Sequence, residues 1–328
     1  MCALFGWLDY KNIVPYNILK ELTQALANAA EERGTDASGI AYIHNGEMKI
    51  FKRPKPAHKL HFNAPDGTRA VMGHTRMTTQ GDEKHNFNNH PFYGHADVEF
   101  AFAHNGMIHN DEKLRKEKQL PDTHIETDSY IAVQLIEQQN KLDFNSLKNM
   151  AEDISGSFCF TLLDISGKMY FIKGSNPMNI LHFESLGLYI YASTESILKK
   201  ALKKIGFGKF FSTAVKITEG DIISIDSNGN IECADFDPYK NQPLNRFSFH
   251  SWFDDYDDFS SGYHTMYEEM LLDMCGMYGV DSEDVEMLLE YGYSAEEIEE
   301  MLDEPSILED IINSIKGVDE CSDCLAFM

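Results

Sequence analysis

No stretch of the 328 residues approaches the ~20 apolar positions that a bilayer-spanning helix requires. No basic head followed by an apolar run opens the chain, and Asp9 interrupts its only apolar start. A cytoplasmic location is therefore expected. Cysteine is sparse: six positions are too few for a disulfide scaffold, and a reducing compartment would leave them as thiols. Basic residues are scarce, with 28 Lys and Arg against 53 Asp and Glu, for a formal charge of −25. A surface of that sign repels phosphate backbones and anionic membranes, so neither nucleic acid nor membrane is an expected partner. No Walker A loop and no internal repeat occur, and no cofactor is expected.

What is present is a globular composition, 43% hydrophobic and 25% charged, with its acid concentrated at one end. Residues 250–328 hold 23 Asp and Glu and one basic residue, Lys316, a balance of −22; residues 1–249 hold 30 acids and 27 bases, a balance of −3. So sharp a shift marks a boundary. The segment from Asp237 to Asn245 has the Pro and Asn content of a linker. The expected organisation is a domain over 2–236, a linker over 237–249 and an acidic helical tail over 250–328.

Within the first part the pattern alternates between strand and helix. Strands are expected at Ala3–Leu8, Gly39–His44, Met48–Lys52, Ala70–His74, Glu99–His104, Phe158–Asp164, Met169–Lys173, Leu188–Ala192, Val215–Ile217 and Asp221–Ile225. Leu19, Leu22 and Leu26 predict a helix over Ile18–Glu32, and Thr127 is placed to cap another carrying Ile131, Leu135 and Ile136. Short turns such as Ser227-Asn228-Gly229-Asn230 favour hairpins, hence antiparallel sheets in an α+β arrangement. In the tail, helices are expected over Met266–Tyr278, Ser282–Tyr291, Ser294–Leu302 and Ser306–Ile315.

The second residue is Cys2. If the initiator is removed, the chain begins with a thiol and a free α-amine on one residue. An amine of pKa near 7.7–8.0 next to a thiol near 8.5 is a base within reach of its own nucleophile. A run of further segments accompanies it: Arg33-Gly34-Thr35-Asp36-Ala37-Ser38-Gly39, His74-Thr75-Arg76-Met77-Thr78-Thr79-Gln80-Gly81, Asn88-Asn89-His90-Pro91, His104-Asn105-Gly106, Glu126-Thr127-Asp128 and Gly156-Ser157-Phe158. In this order, and starting from an N-terminal cysteine, they resemble the class II (N-terminal nucleophile) glutamine amidotransferases. The similarity is to the glutaminase domains of glutamine–fructose-6-phosphate aminotransferase and amidophosphoribosyltransferase.

The resemblance implies a four-layer αββα sandwich of two antiparallel sheets, of the Ntn-hydrolase type, over residues 2 to about 236. It implies hydrolysis of L-glutamine to glutamate and ammonia through a thioester on Cys2. Asn105 and Gly106 would stabilise the oxyanion. Arg76 would hold the α-carboxylate, as its planar fork suits a carboxylate, Asp128 the α-ammonium, and Thr79 would line the substrate loop. Arg33, Asp36, Gly81 and His90 would buttress the site. One departure is visible: the aminosugar-forming relatives commonly carry Trp-Ala-Thr-His-Gly after the Arg, where this chain has Met77-Thr78-Thr79-Gln80-Gly81. No phosphoribosyl-diphosphate motif occurs, and the 92 residues after 236 are too few for the sugar-isomerase pair of the larger relatives. The expectation is therefore that ammonia passes to a separate synthetase-like acceptor subunit.

Two other readings stand beside this one. A cysteine acylase of the same superfamily also begins Met-Cys, although the set of Arg76, Asn105, Gly106 and Asp128 resembles it less. An interaction or regulatory protein would use the acidic tail to dock a basic partner. A metal site has little support. His85, His90, His95, His104 and His109 are explained by the motifs, and Cys321 and Cys324 lack a second ligand pair.

Overall fold

The structure, a computed structural model, describes residues 2–241 and 280–291, with scattered positions between 275 and 316. The chain divides into two units, Met1–Arg246 and Phe247–Met328.

The first unit is built on alternation. In β1 (Ala3–Asp9), Ala3, Phe5 and Trp7 pack with one apolar cluster, and Leu4 and Leu8 with another. Successive side chains of a strand point to opposite faces, so an apolar run this continuous is buried on both. On one side, β1 meets the helices α1 (Tyr16–Ala30) and α5 (Glu195–Lys204), through Leu19, Leu22, Leu26, Ile197 and Leu198. On the other it meets a second sheet, through Ala101, Ala103, Cys159 and Leu163. That second sheet is covered by α3 (Tyr130–Gln139) and α4 (Phe144–Asp153), with Ile131, Leu135, Leu147 and Met150 against Phe100, Phe102, Phe158 and Phe160. The result is the four-layer αββα sandwich.

Seven strands form the first sheet: β11 (Thr213–Val215), β9 (Asn179–Phe183), β10 (Leu188–Ala192), β1, β4 (Ala70–Arg76), β2 (Ala37–His44) and β3 (Glu47–Arg53), in that spatial order. Six form the second: β13 (Ile231–Asp235), β12 (Asp221–Ile225), β8 (Met169–Lys173), β7 (Gly156–Asp164), β6 (Glu99–Ile108) and β5 (Phe92–His95). Every pairing is antiparallel. The turn at Ser227–Asn230 joins β12 to β13, with Gly229 at φ +84° and Asp226 accepting from the Asn228 and Asn230 N–H groups.

Several expectations change. Thr127 does not cap α3; its hydroxyl donates to the Asn88 carbonyl at 3.2 Å, and the helix opens three residues later behind Ser129. The 215–217 strand lies earlier, at Thr213–Val215, because pairing with β9 stops at Ile180. The strand starting at Glu99 does not end at His104. It runs through Asn105 and Gly106 to Ile108, held by β7. Asn-Gly, a common hairpin turn, is here inside a strand. The strands β5, β9 and β13, a short helix α2 (Asp111–Glu117), α4 and α5 were not foreseen.

In the second unit a helix α6 (Ser282–Glu290) is capped by the Asp281 carboxylate, which accepts from the Glu283 N–H at 3.2 Å. Val285, Leu288, Ile298, Leu302, Leu308, Ile312 and Ile315 are buried together, while Glu283 and Glu286 are exposed. The expected helix over 266–278, the Asp254–Asp258 cluster, Cys321 and Cys324 lie outside the described residues apart from Cys275.

Candidate active site

Three strand ends of the first sheet assemble one edge. Ala3 faces Thr75 across the β1–β4 ladder, and Arg76 faces Ala37 across β4–β2. Cys2, one residue before β1, is thereby set beside the end of β4. The loop that precedes β2 locks both. The Arg33 Nε donates to the Cys2 carbonyl at 2.8 Å, the Asp36 N–H to the Arg76 carbonyl at 2.9 Å, and the Asp36 carboxylate accepts from the Thr78 N–H at 2.7 Å. Between them Gly34 is required by space: a Cβ there would lie 2.4 Å from the Arg76 carbonyl carbon.

The Cys2 thiol is half-buried and donates to the Met77 carbonyl at 3.5 Å. Burial pushes the thiol pKa up. The hydrogen bond at Met77 and the Arg76 cation pull it down, and Asp128 adds to the rise. The thiol thus senses both charged residues. Arg76 is 2% exposed, and its guanidinium donates to Asn89 Oδ1 at 2.7 Å and to the carbonyls of Gln80 at 2.5 Å and Gly81 at 2.9 Å. Burial draws its pKa down, against the opposing influence of Cys2, Glu83, Asp128 and Asp36. Among the described residues it makes no ion pair. Asp128 is 3% exposed; it accepts from the Ile108 N–H at 2.6 Å and the Ser129 hydroxyl at 3.3 Å, and it too has no cation paired to it there. Two buried opposite charges thus act on one thiol without forming an ion pair with any described residue.

The second sheet contributes Asn105 and Gly106. Asn105 is fully buried, yet both its side-chain oxygen and nitrogen lack a hydrogen-bond partner. Such a group is costly to bury unless something fills the vacancy. Gly106 sits at φ +143°, and a Cβ would lie 2.0 Å from the Ser157 carbonyl oxygen, so no other residue fits. The sheets are tied here by His74, whose Nε2 donates to the His104 carbonyl at 2.9 Å. Burial lowers the His74 pKa to about 3, so the ring is neutral.

The remaining residues fall on the loops. Gly81, at φ +77°, supplies a carbonyl to Arg76. Thr79 is exposed in the same loop. His90 is buried against the His74 ring, centroids 4.3 Å apart, with both ring nitrogens unpartnered. Burial holds it well below the usual imidazole range. Sequence reasoning gave no role to Asn89, Gln80, His74 or Asn176. Gln80 ties this loop to its neighbours: its side-chain amide reaches the Glu126 carbonyl at 3.2 Å and the Asp111 carboxylate at 3.4 Å. Among the described residues no three His, Cys, Asp or Glu side chains converge to hold a metal.

Residues 74–200 match the family described as a glutamine amidotransferase domain. The glutamine–fructose-6-phosphate aminotransferase of Staphylococcus aureus (strain Mu50) is 31% identical over 191 residues, 54% of this chain and 30% of that protein. The enzyme of the same name from Chlamydia trachomatis serovar D is 33% identical over 171 residues, 51% of this chain and 26% of that protein. The chain thus spans about 30% or less of the length of these curated relatives. Among solved structures, the glutamine phosphoribosylpyrophosphate amidotransferase of B. subtilis superposes with a TM-score of 0.55 over 72% of this chain and 49% of its own, at 19% identity, a likeness of fold. With the motifs in order, the sandwich in place and the match over residues 74–200, the amino-terminal unit carries a glutamine amidotransferase domain and is similar to the class II enzymes in sequence and fold.

Proposed function

We propose that this domain, residues 2–236, hydrolyses L-glutamine to glutamate and ammonia with Cys2 as nucleophile, and that the ammonia passes to a separate acceptor subunit. The observation that carries the reading is the pair of buried, unmatched charges, Arg76 and Asp128, that act on the Cys2 thiol. Glutamine brings a carboxylate to one and an ammonium to the other, and its chain reaches back to the sulfur. An N-acyl amide lacking that zwitterionic head would leave both charges buried and unpaired, which disfavours the acylase reading.

The mature chain in this reading begins at Cys2. Burial raises the thiol, so it needs a base, and the liberated α-amine of the same residue takes its proton. The thiolate attacks the amide carbon and the carbonyl electrons move to oxygen. The Asn105 amide, unpartnered in its burial, and the Gly106 N–H are the donors for that oxyanion. One such donor typically contributes about 100- to 1,000-fold in kcat. As the oxyanion collapses, the C–N bond breaks and nitrogen leaves as ammonia with the proton held by the α-ammonium. Water then adds to the thioester, and glutamate leaves as the thiol is restored. Arg33, Asp36, Gly81 and His90 fix the walls around these atoms, and Thr79 lines the entrance.

The four described cysteines are all free, as a cytoplasmic protein's would be. No helix among the described residues is long and apolar enough to cross a membrane. Beyond a linker over 237–249, the acid-rich tail of residues 250–328, whose α6 exposes Glu283 and Glu286, is a docking element for a basic partner.

The test is a glutaminase assay on protein whose N-terminus has been read by mass spectrometry. Material starting at Cys2 should turn over glutamine and be labelled at residue 2 by 6-diazo-5-oxo-norleucine. Cys2→Ala should lose turnover by at least about a thousandfold. Full activity in that variant, or in chains that retain Met1, rejects the reading.

A further inference from the structure

We propose that Asn176 is a positioning residue for the oxyanion site: it aims the Gly106 N–H by gripping the peptide between Asn105 and Gly106. The inference rests on the glutaminase reading above and extends its apparatus to a residue on a different loop.

Asn176 follows β8 in the segment Gly174-Ser175-Asn176-Pro177. Its side-chain Nδ2 donates to the Asn105 carbonyl oxygen at 3.0 Å. That oxygen and the Gly106 N–H belong to one planar trans peptide and point in opposite directions. To fix the oxygen is therefore to fix the line of the N–H. A hydrogen bond at the oxygen also polarises the amide, which strengthens the N–H as a donor. The contact is intimate, since a Cβ on Gly106 would stand 2.5 Å from Asn176 Nδ2.

The peptide needs this outside hold. Gly106 sits at φ +143°, a conformation with few restraints of its own. Strand β5 pairs with β6 only over Glu99–Phe102, so, among the described residues, 103–108 have β7 as their one strand neighbour. Asn176 is itself anchored to that neighbour: its own N–H reaches the Phe158 carbonyl at 3.4 Å, and Phe158 is the residue opposite Gly106. Pro177 restricts the Asn176 backbone to extended conformations. The preceding peptide is gripped in the same way, by His74 at the His104 carbonyl. Both carbonyls that bracket Asn105 are thus held by side chains from outside the strand. Asn176 touches no reacting atom in this scheme; it acts through Gly106.

The experiment compares Asn176→Asp and Asn176→Ala with the parent in the full chain, processed to Cys2. The Asp variant keeps the shape but sets a carboxylate oxygen against the Asn105 carbonyl; the Ala variant removes the side-chain donor and leaves that carbonyl only its place in the β6–β7 ladder. Three readouts are taken: kcat and KM for L-glutamine, the pH profile of kcat/KM, and the rate of Cys2 alkylation by iodoacetamide. In the last reaction the S–C bond forms as iodide leaves and no oxyanion arises. The expected result is a fall in kcat of about 10- to 100-fold, less than the loss of a whole donor, with KM within about twofold. The pH profile and alkylation rate should stay at parental values. A kcat within about twofold of the parent, a rise in KM at constant kcat, or an equal fall in alkylation overturns the assignment. If one variant fails to fold, the other carries the test. A parent inactive on glutamine defeats the glutaminase reading itself; an active parent with unaffected variants defeats Asn176 alone.

Discussion

The two ends of β1 offer opposite solutions to the burial of charge. At the far end Asp9 is fully buried, and its carboxylate accepts from the Asn12 N–H at 2.7 Å and the Val14 N–H at 3.3 Å. Arg69, just before β4, gives its protons to the carbonyls of Asp9, Tyr10 and Ser227. A cleft of about 340 Å³ opens there, but its charged side chains already have backbone partners. At the near end Arg76 and Asp128 are also buried and hydrogen-bonded, though in no ion pair among the described residues, and the buried Asn105 amide has no partner there. The polar groups around one end of β1 are therefore saturated, and those around the other are not, at Asn105. Saturation is what stability favours. Its absence at Asn105 is what the proposed glutamine site would use.

The contrast breaks most sharply if the unpaired charges are removed. Asp128→Asn and Arg76→Gln should each lower kcat/KM for glutamine by about 30- to 1,000-fold, the loss of about 2–4 kcal/mol at a buried charged contact. The change should be largely in KM, because the clamp holds the substrate head as well as the transition state. If steady-state kinetics show KM unmoved in both, the zwitterion site is wrongly placed.

A smaller effect should follow acid. His74, His90 and His104 are buried at the near end with pKa values lowered by burial, His74 to about 3. The unfolded chain takes up protons near pH 6.5 and the folded one does not. The resulting stability is complete above 6.5 and declines as pH falls toward 3. Linkage sets the slope at up to about 1.4 kcal/mol per pH unit for each histidine. Denaturation midpoints from pH 7 to pH 4.5 should fall, and His90→Phe should flatten the decline. A variant with the parental slope would remove His90 from this account.

The smallest effect belongs to the saturated end. Asp9→Ala strands two backbone N–H groups and should destabilise the domain by about 1–3 kcal/mol. In the folded fraction KM for glutamine should not change. Thermal melts and kinetics on one preparation separate the two quantities, and a KM shift would show that the ends are not independent.

Much of this contrast was legible in residue order. The apolar alternation of β1, the helical spacing of Leu19, Leu22 and Leu26, and the turn at Asn228-Gly229 are local signals; the turn formed where it stood, β1 ran on to Asp9, and the helix lies two residues earlier than expected, over Tyr16–Ala30. The candidate site residues Cys2, Arg76, Asn105 and Asp128 were also named, through motifs that resemble those of the amidotransferases. What was missed is non-local. Asn-Gly reads as a turn unless β7 is known to lie alongside it, and Thr127 reads as a cap unless Asn88 is known to face it. Asn176 had no signal, since Ser-Asn-Pro is an ordinary loop tripeptide until folding lays it on Gly106.

The sequence alone determined which groups the chain has to work with: a thiol at position 2, one guanidinium, one carboxylate and one carboxamide, each with a fixed protonation chemistry. Tertiary structure decided which of them go unpaired. That choice depends on which strands stop short, β5 before Asn105 and β4 at Arg76, and on which loop side chains arrive to grip the backbone. Pairing is a property of distances between elements far apart in the chain, and those distances are set only when two sheets close over a common core.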